Sequence, residues 1–281
     1  MSEPIRIGTA EFLNAWPLTY GLDGRDGVTL RFGPPSALAA MLKRGEVDAA
    51  LAPSIDYFRL AAERGERARA GGATGFVALP LAAIGSRGTI GSVRLFGYAE
   101  PDGLRRVVLD PASHTSNALA RIIVARRLGG RAHFVMPEDA AAATRPPDAE
   151  VVIGDRGLVA RRPEAKWVLD LGEEWDRFVH LPFVYAFWVA RADVPLGPLV
   201  ELLSAARDSG LAARHELAGR AAGELGIPAE TAGRYLMEQV RYEFSAKEQS
   251  GLRAFYRMAM EEGLAPEGVR LRMAGAGRGG P

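Results

Sequence analysis

The stretch Ile5-Arg6-Ile7-Gly8, joined by Thr9-Ala10-Glu11 to Phe12-Leu13-Asn14-Ala15-Trp16-Pro17-Leu18, decides how the rest of the chain is read. Ile5-Arg6-Ile7 alternates as an opening strand. Pro17 fits the first position of a helix, where its missing N–H costs nothing, and Leu18-Thr19-Tyr20-Gly21 follows as the first turns. Trp16, placed before a proline, is biased toward extended backbone. Asn14 then falls in the turn between strand and helix, ahead of the cap. In an open α/β sheet such turns lie at the carboxyl ends of the strands, where ligands bind. An Asn amide offers a donor and an acceptor at one point. It also commonly bonds only its own turn, so a functional and a local reading both stand here.

Outward from this stretch the same pattern repeats. Val28–Phe32 alternates as a second strand, and Ser36 is placed to cap a helix over Ala37–Arg44 that ends at Gly45. Val47–Leu51 is a small-residue run suited to a strand covered on both faces. Ser54 is placed to cap the next helix, with Asp56 in its first turn. Strand and helix thus alternate with short connections, the doubly wound α/β pattern.

A glycine-rich turn at Gly71–Gly75 leads to the long apolar stretch Phe76–Ile84, then Gly85-Ser86-Arg87-Gly88 and an extended segment from Ile90 to Phe96. The pattern then restarts. Strands are expected at Arg106–Asp110, His133–Val135, Glu150–Ile153 and Trp167–Asp170, with a helix over Asn117–Leu128. Pro182–Arg191 is again apolar and aromatic, and is read as the chain crossing back. Leu196 onward is helical, with ends at Gly210, Gly226 and Gly263. The tail from Ala274 carries little but small residues and glycine, the composition of a disordered end. The expectation is two lobes: residues 1–92 with 181–281, and residues 93–180.

Composition narrows the chemistry. A chain of 281 residues is long enough for two lobes, and a formal net charge of +1 gives no general pull toward nucleic acid or membrane. No cysteine is present, which excludes disulfides, thiolate catalysis and cysteine-held metal. The four histidines (His114, His133, His180, His215) lack metal-ligand spacing. There is no Walker loop, no Gly-x-Gly-x-x-Gly after a strand, no His-Glu-x-x-His and no Gly-x-Ser-x-Gly. The expectation is a protein with no metal and no cofactor, without export signal or membrane span, in the cytoplasm as a monomer or homodimer.

What remains is an amide and several hydroxyls at strand-to-helix turns: Asn14, Ser54, Ser86, Thr115 and Ser116. Each has a plain reading as a helix cap. Together, beside helix N-termini, they would hold an anion without a formal cation. Arg87 would add a bidentate carboxylate clamp or else form a surface ion pair. Asp155 follows a strand directly, facing the cleft or merely opening a helix.

Six segments in order resemble the chorismate dehydratase family of the futalosine route to menaquinone. They are Phe12–Leu18, Gly45-Glu46-Val47-Asp48 with Pro53-Ser54-Ile55-Asp56-Tyr57, Ser86-Arg87-Gly88 with Ser92-Val93-Arg94-Leu95-Phe96, Asp110 through Ser113 to Thr115-Ser116, Ile153-Gly154-Asp155, and Leu181–Trp188. The resemblance spans roughly residues 5 to 264. Phe12 stands where the family usually has Tyr, and His114 where it often has Arg. The resemblance implies a two-lobed fold like type II periplasmic binding proteins, with two crossing strands. It implies dehydration of chorismate, a dicarboxylate, to 3-enolpyruvylbenzoate, with Asn14 catalytic and Ser54, Ser86, Arg87, Thr115, Ser116 and Asp155 binding substrate. Two rivals share the fold: a small-anion solute-binding protein and the sister 1,4-dihydroxy-6-naphthoate synthase.

Overall fold

A computed structural model describes residues 3–69, 75–129, 132–141 and 145–275. Most of the glycine-rich turn after residue 70, Gly130 and the last six residues lie outside them. Two five-stranded sheets carry the architecture. The first holds β1 (Ile5–Thr9), β2 (Val28–Phe32), β3 (Ala49–Pro53), β4 (Phe76–Ser86) and β10 (Phe183–Arg191), in the order β2-β1-β3-β10-β4. The second holds β5 (Val93–Gly97), β6 (Arg106–Val108), β7 (His133–Val135), β8 (Ala149–Ile153) and β9 (Trp167–Asp170), in the order β7-β6-β8-β5-β9.

In both sheets the strands linked through helices run parallel: β1 with β2 and β3, β6 with β7 and β8. One strand in each sheet runs antiparallel to both of its neighbours. β10 slots between β3 and β4, and β5 between β8 and β9. The crossing back was expected along Pro182–Arg191. Instead β10 lies in the first sheet along its whole length, and the chain changes sheet at 87–92 and again near 180–182. We propose the lobe boundaries at these two places, at 92/93 and 180/181.

Helices α1 (Pro35–Arg44), α2 (Ser54–Arg69), α3 (His114–Arg127), α4 (Pro137–Ala141), α5 (Gly154–Val159) and α6 (Leu171–Val179) alternate with the strands. The C-terminal third supplies α7 (Leu196–Ala212), α8 (Arg214–Glu224), α9 (Ala229–Arg234), a π-helical turn at Tyr235–Gln239 and α10 (Ala246–Glu261). This third returns to the first sheet. Arg241 exchanges backbone bonds with Gly85, and Ala78 bridges to Met273.

Three local expectations change. Gly210 does not end a helix; it lies inside α7 because the chain packs too closely there for a side chain. A methyl group on it would stand 2.0 Å from the Pro17 carbonyl oxygen. Ser36 does not cap α1, whose N-cap is Pro34; its N–H instead reaches the Ala112 carbonyl at 3.1 Å. The helix expected from Asn117 begins at His114, because the Ser113 hydroxyl accepts the Ser116 N–H at 3.2 Å and starts the turn earlier.

Among the described residues no helix is long and apolar enough to cross a membrane.

Candidate active site

The parallel strands β1, β3 and β8 all run toward one cavity between the two sheets, as carboxyl ends do in open α/β sheets. Ala10 beyond β1, Pro53 at the end of β3 and Ile153 at the end of β8 are on its wall, with Asn14, Ser92, Ser113, Ser116 and Tyr185 as its polar groups. No charged side chain lines it among the described residues.

Asn14 reaches this wall differently from expectation. Leu13–Leu18 is a short 3₁₀ helix with Pro17 inside it, so Asn14 lies in its first turn rather than in a loop ahead of a cap. The Ala15 N–H closes the first turn on the Phe12 carbonyl at 2.9 Å. Three distant groups hold this small helix. Gly210 of α7 lies against Pro17. The Asp155 carboxylate accepts the Leu13 N–H at 3.0 Å, reaching over from α5. The Asn14 side-chain N–H donates to the Tyr235 hydroxyl at 2.9 Å, and that hydroxyl lies 2.8 Å from the Ser92 hydroxyl. Asn14 therefore keeps one N–H and its carbonyl oxygen for another partner.

Asp155 does not line the cavity; it secures the segment that does. Burial pushes its pKa up to about 6, against the opposing pull of the Leu13 N–H. Burial likewise raises Tyr235 above the ordinary phenol range, so the phenol stays protonated.

The remaining expected residues divide. Ser116 is on the cavity wall beside Ser113, whose hydroxyl donates to it at 3.0 Å. Ser86 is off the wall but buried next to Tyr185, which is on it, and neither hydroxyl has a well-formed hydrogen bond to a described residue. Both flank Gly172 at the start of α6: a methyl there would lie 2.7 Å from Ser86 Oγ and 2.9 Å from the Tyr185 oxygen. A buried hydroxyl without a partner costs free energy unless something answers it. Ser54 does not cap α2. Its hydroxyl is fully buried and donates to the Val184 carbonyl at 2.7 Å. Thr115, also buried, accepts the Ile55 N–H at 3.2 Å and so meets the N-terminus of α2 from the other side. Arg87 is exposed and does not line the cavity.

A family model for menaquinone biosynthesis matches residues 5–261. The chain belongs to that family. A chorismate dehydratase from Thermus thermophilus is 28% identical to it over 269 residues, covering 90% of this chain and 94% of that protein. Among solved structures, the alkanesulfonate-binding protein SsuA from Xanthomonas axonopodis pv. citri superposes with a TM-score of 0.67 at 18% identity, covering 96% of this chain and 98% of the other. Protein AF1704 from Archaeoglobus fulgidus gives 0.66, also at 18%, over 94% and 99%. The nitrate-binding protein NrtA from Synechocystis gives 0.58 at 12%, over 95% and 83%. The menaquinone biosynthesis family thus has, in this chain, the two-lobed α/β fold of periplasmic solute-binding proteins.

The two departures from the family pattern have separate roles. The Phe12 ring lies on Gly154, whose φ of 66° and close contact both exclude a side chain there. His114 is turned to Asp56 of α2, with Nδ1 2.8 Å from the carboxylate, and does not line the cavity. Ser92, Ser113, Tyr185 and Tyr235 were not singled out from the sequence. Ser92, Ser113 and Tyr185 lie inside segments of the family resemblance, and Tyr235 is one of several aromatics spread through the C-terminal helices, with no local pattern to set it apart.

Proposed function

We propose that this chain removes water from chorismate to give 3-enolpyruvylbenzoate. The observation that carries this reading is Asn14, carried by a helix braced from three sides on the wall of a cavity without charged lining, with one N–H and its carbonyl oxygen uncommitted. The family match and the dehydratase relative support the same choice of substrate.

Chorismate brings two carboxylates. Hydroxyls and helix N-termini hold such groups without a formal cation. Ser113 and Ser116 at the start of α3, and the unpartnered pair Ser86 and Tyr185, are the groups suited to this. Dehydration takes the hydrogen from ring carbon 3 and the hydroxyl from carbon 4, and the ring becomes aromatic. Among the described residues no carboxylate, imidazole, amine or guanidinium lines the cavity, so the substrate's own enolpyruvyl carboxylate takes the carbon 3 proton. Asn14 orients the ring and its amide N–H meets the hydroxyl as it departs. The catalytic help is then positioning and preorganised dipoles.

Incubation with chorismate, followed by loss of its ultraviolet band and by mass identification of the product, tests this. Turnover with loss of one water supports it. Binding without turnover would mark a solute-binding protein, and no response to chorismate would leave the sister naphthoate synthase reaction to be tried.

A further inference from the structure

The bond from Asn14 to Tyr235 does not end there. Tyr235 comes from a π-helical turn in the C-terminal third, a feature often found where function requires a side chain to be re-aimed. Its ring is fully buried. Its hydroxyl accepts the Asn14 side-chain N–H at 2.9 Å and touches the Ser92 hydroxyl at 2.8 Å. A phenol has one hydrogen to give. Either hydroxyl of the Tyr235–Ser92 pair can be the donor, and with the phenol oxygen receiving the amide N–H, the phenol hydrogen is free to go to Ser92 Oγ. Ser92 then cannot donate back, and no other partner takes its hydrogen among the described residues. Ser92 is itself on the cavity wall and almost wholly buried.

We infer that Asn14, Tyr235 and Ser92 form a one-directional chain: Tyr235 is a positioning residue that fixes the Asn14 amide, and Ser92 is a binding residue that donates its hydroxyl hydrogen to an oxygen of the substrate. The inference rests on the dehydratase reading for the identity of that substrate, but the chain of bonds does not depend on it. An Asn amide turned over end for end would offer two N–H groups in place of one N–H and one oxygen. With its hydrogen given to Ser92, Tyr235 can only accept and so removes that freedom. The polarity of the chain also makes Ser92 a donor rather than an acceptor, which suits a carboxylate or an ether oxygen.

The experiment compares wild type with Tyr235→Phe, Ser92→Ala, Asn14→Leu and the double variant Asn14→Leu with Tyr235→Phe. Phe keeps the buried ring, so a folded protein with unchanged Tm is expected. The kcat of Tyr235→Phe should fall on the order of tenfold while KM moves by no more than about threefold, the size expected for one neutral hydrogen bond. Ser92→Ala should instead raise KM by about five- to tenfold. In the Asn14→Leu background, Tyr235→Phe should cost no more than about a further twofold, because its effect passes through the amide. The side-chain NH₂ signals of Asn14 in ¹⁵N-labelled protein, assigned by their loss in Asn14→Leu, should shift in Tyr235→Phe and in Ser92→Ala. If those signals stay where they are, or if the two losses multiply in full in the double variant, the positioning role is overturned. An unchanged KM in Ser92→Ala overturns the donor role. Wild type that leaves chorismate untouched would defeat the dehydratase reading alone, since the NMR comparison still decides the chain. If Tyr235→Phe fails to fold, the Ser92→Ala signals decide it.

Discussion

Two groups of polar side chains near the cleft have opposite fates. Ser54 and Thr115 are tied to backbone: one donates to the Val184 carbonyl, the other accepts the Ile55 N–H. Among the described residues Asn14 and Ser92 are tied only to the Tyr235 hydroxyl, and Ser86 and Tyr185 to nothing. From sequence the two groups look alike, as small polar residues at the ends of strands or the starts of helices. What separates them is the partner. A hydroxyl that meets a backbone group joins two parts of the fold. One that meets nothing is available to a ligand, and its burial costs free energy until a ligand answers it.

The contrast is sharpened first by Asn14→Leu, which keeps size and removes both polar groups. We expect a fall in kcat on the order of a hundredfold or more, as for loss of one preorganised donor, with Tm little changed. Steady-state rates with chorismate, and binding measured separately, check it; a normal kcat would move Asn14 into the structural group. Thr115→Val tests the other side. It leaves the Ile55 N–H buried without an acceptor, so stability should fall by about 1–3 kcal/mol in denaturant titration, while kcat stays within about twofold. A selective loss of kcat at full stability would return Thr115 to the site.

A third test uses pH. The pKa of Asp155 rises to about 6 in the folded chain from an ordinary unfolded value near 4. Between those values the unfolded chain gives up its proton and the folded chain keeps it. The stability tied to this group is therefore complete below about pH 4 and lost as pH rises through about 6. Asp155→Asn cannot ionise, and its carbonyl oxygen still suits the Leu13 N–H. The Tm of the variant minus that of wild type should grow by a few degrees from pH 4 to 6, then level off. A flat difference across that range would mean that Asp155 is not a costly buried carboxylate. The smallest effect is expected from Arg87→Ala, which should change KM by less than about twofold because the side chain is exposed and off the cavity wall. A tenfold rise would bring back the carboxylate clamp.

Much of the fold was legible because its signals are local. The alternation at Val28–Phe32 and the αL Gly45 that ends α1 are read within a few residues of themselves, and both stand in the structure. The site was legible only in part. Asn14 could be placed at a strand's end, but its partner is 221 residues away, and no local pattern distinguishes Tyr235 from the core aromatics around it. Ser54 was misread for the same reason: the carbonyl that takes its hydroxyl lies 130 residues on, in a strand from the other end of the chain. Gly210 carried a true signal with the wrong meaning. Glycine marks a helix end or a close approach, and only the neighbouring Pro17 tells which.

The three braces on the 3₁₀ helix also set an order of events during synthesis. Asn14 leaves the ribosome well before Asp155, Gly210 and Tyr235, which hold its segment. Domains generally fold as units while the chain emerges, and contacts so far apart in sequence close late. The second sheet, β5 to β9, is complete once Asp170 is out and can pack before the C-terminal third exists. The first sheet waits for β10, and the Asn14 amide on the cavity wall waits longer still. A nascent chain halted before Tyr235 would hold every strand described above and an Asn14 amide without its partner.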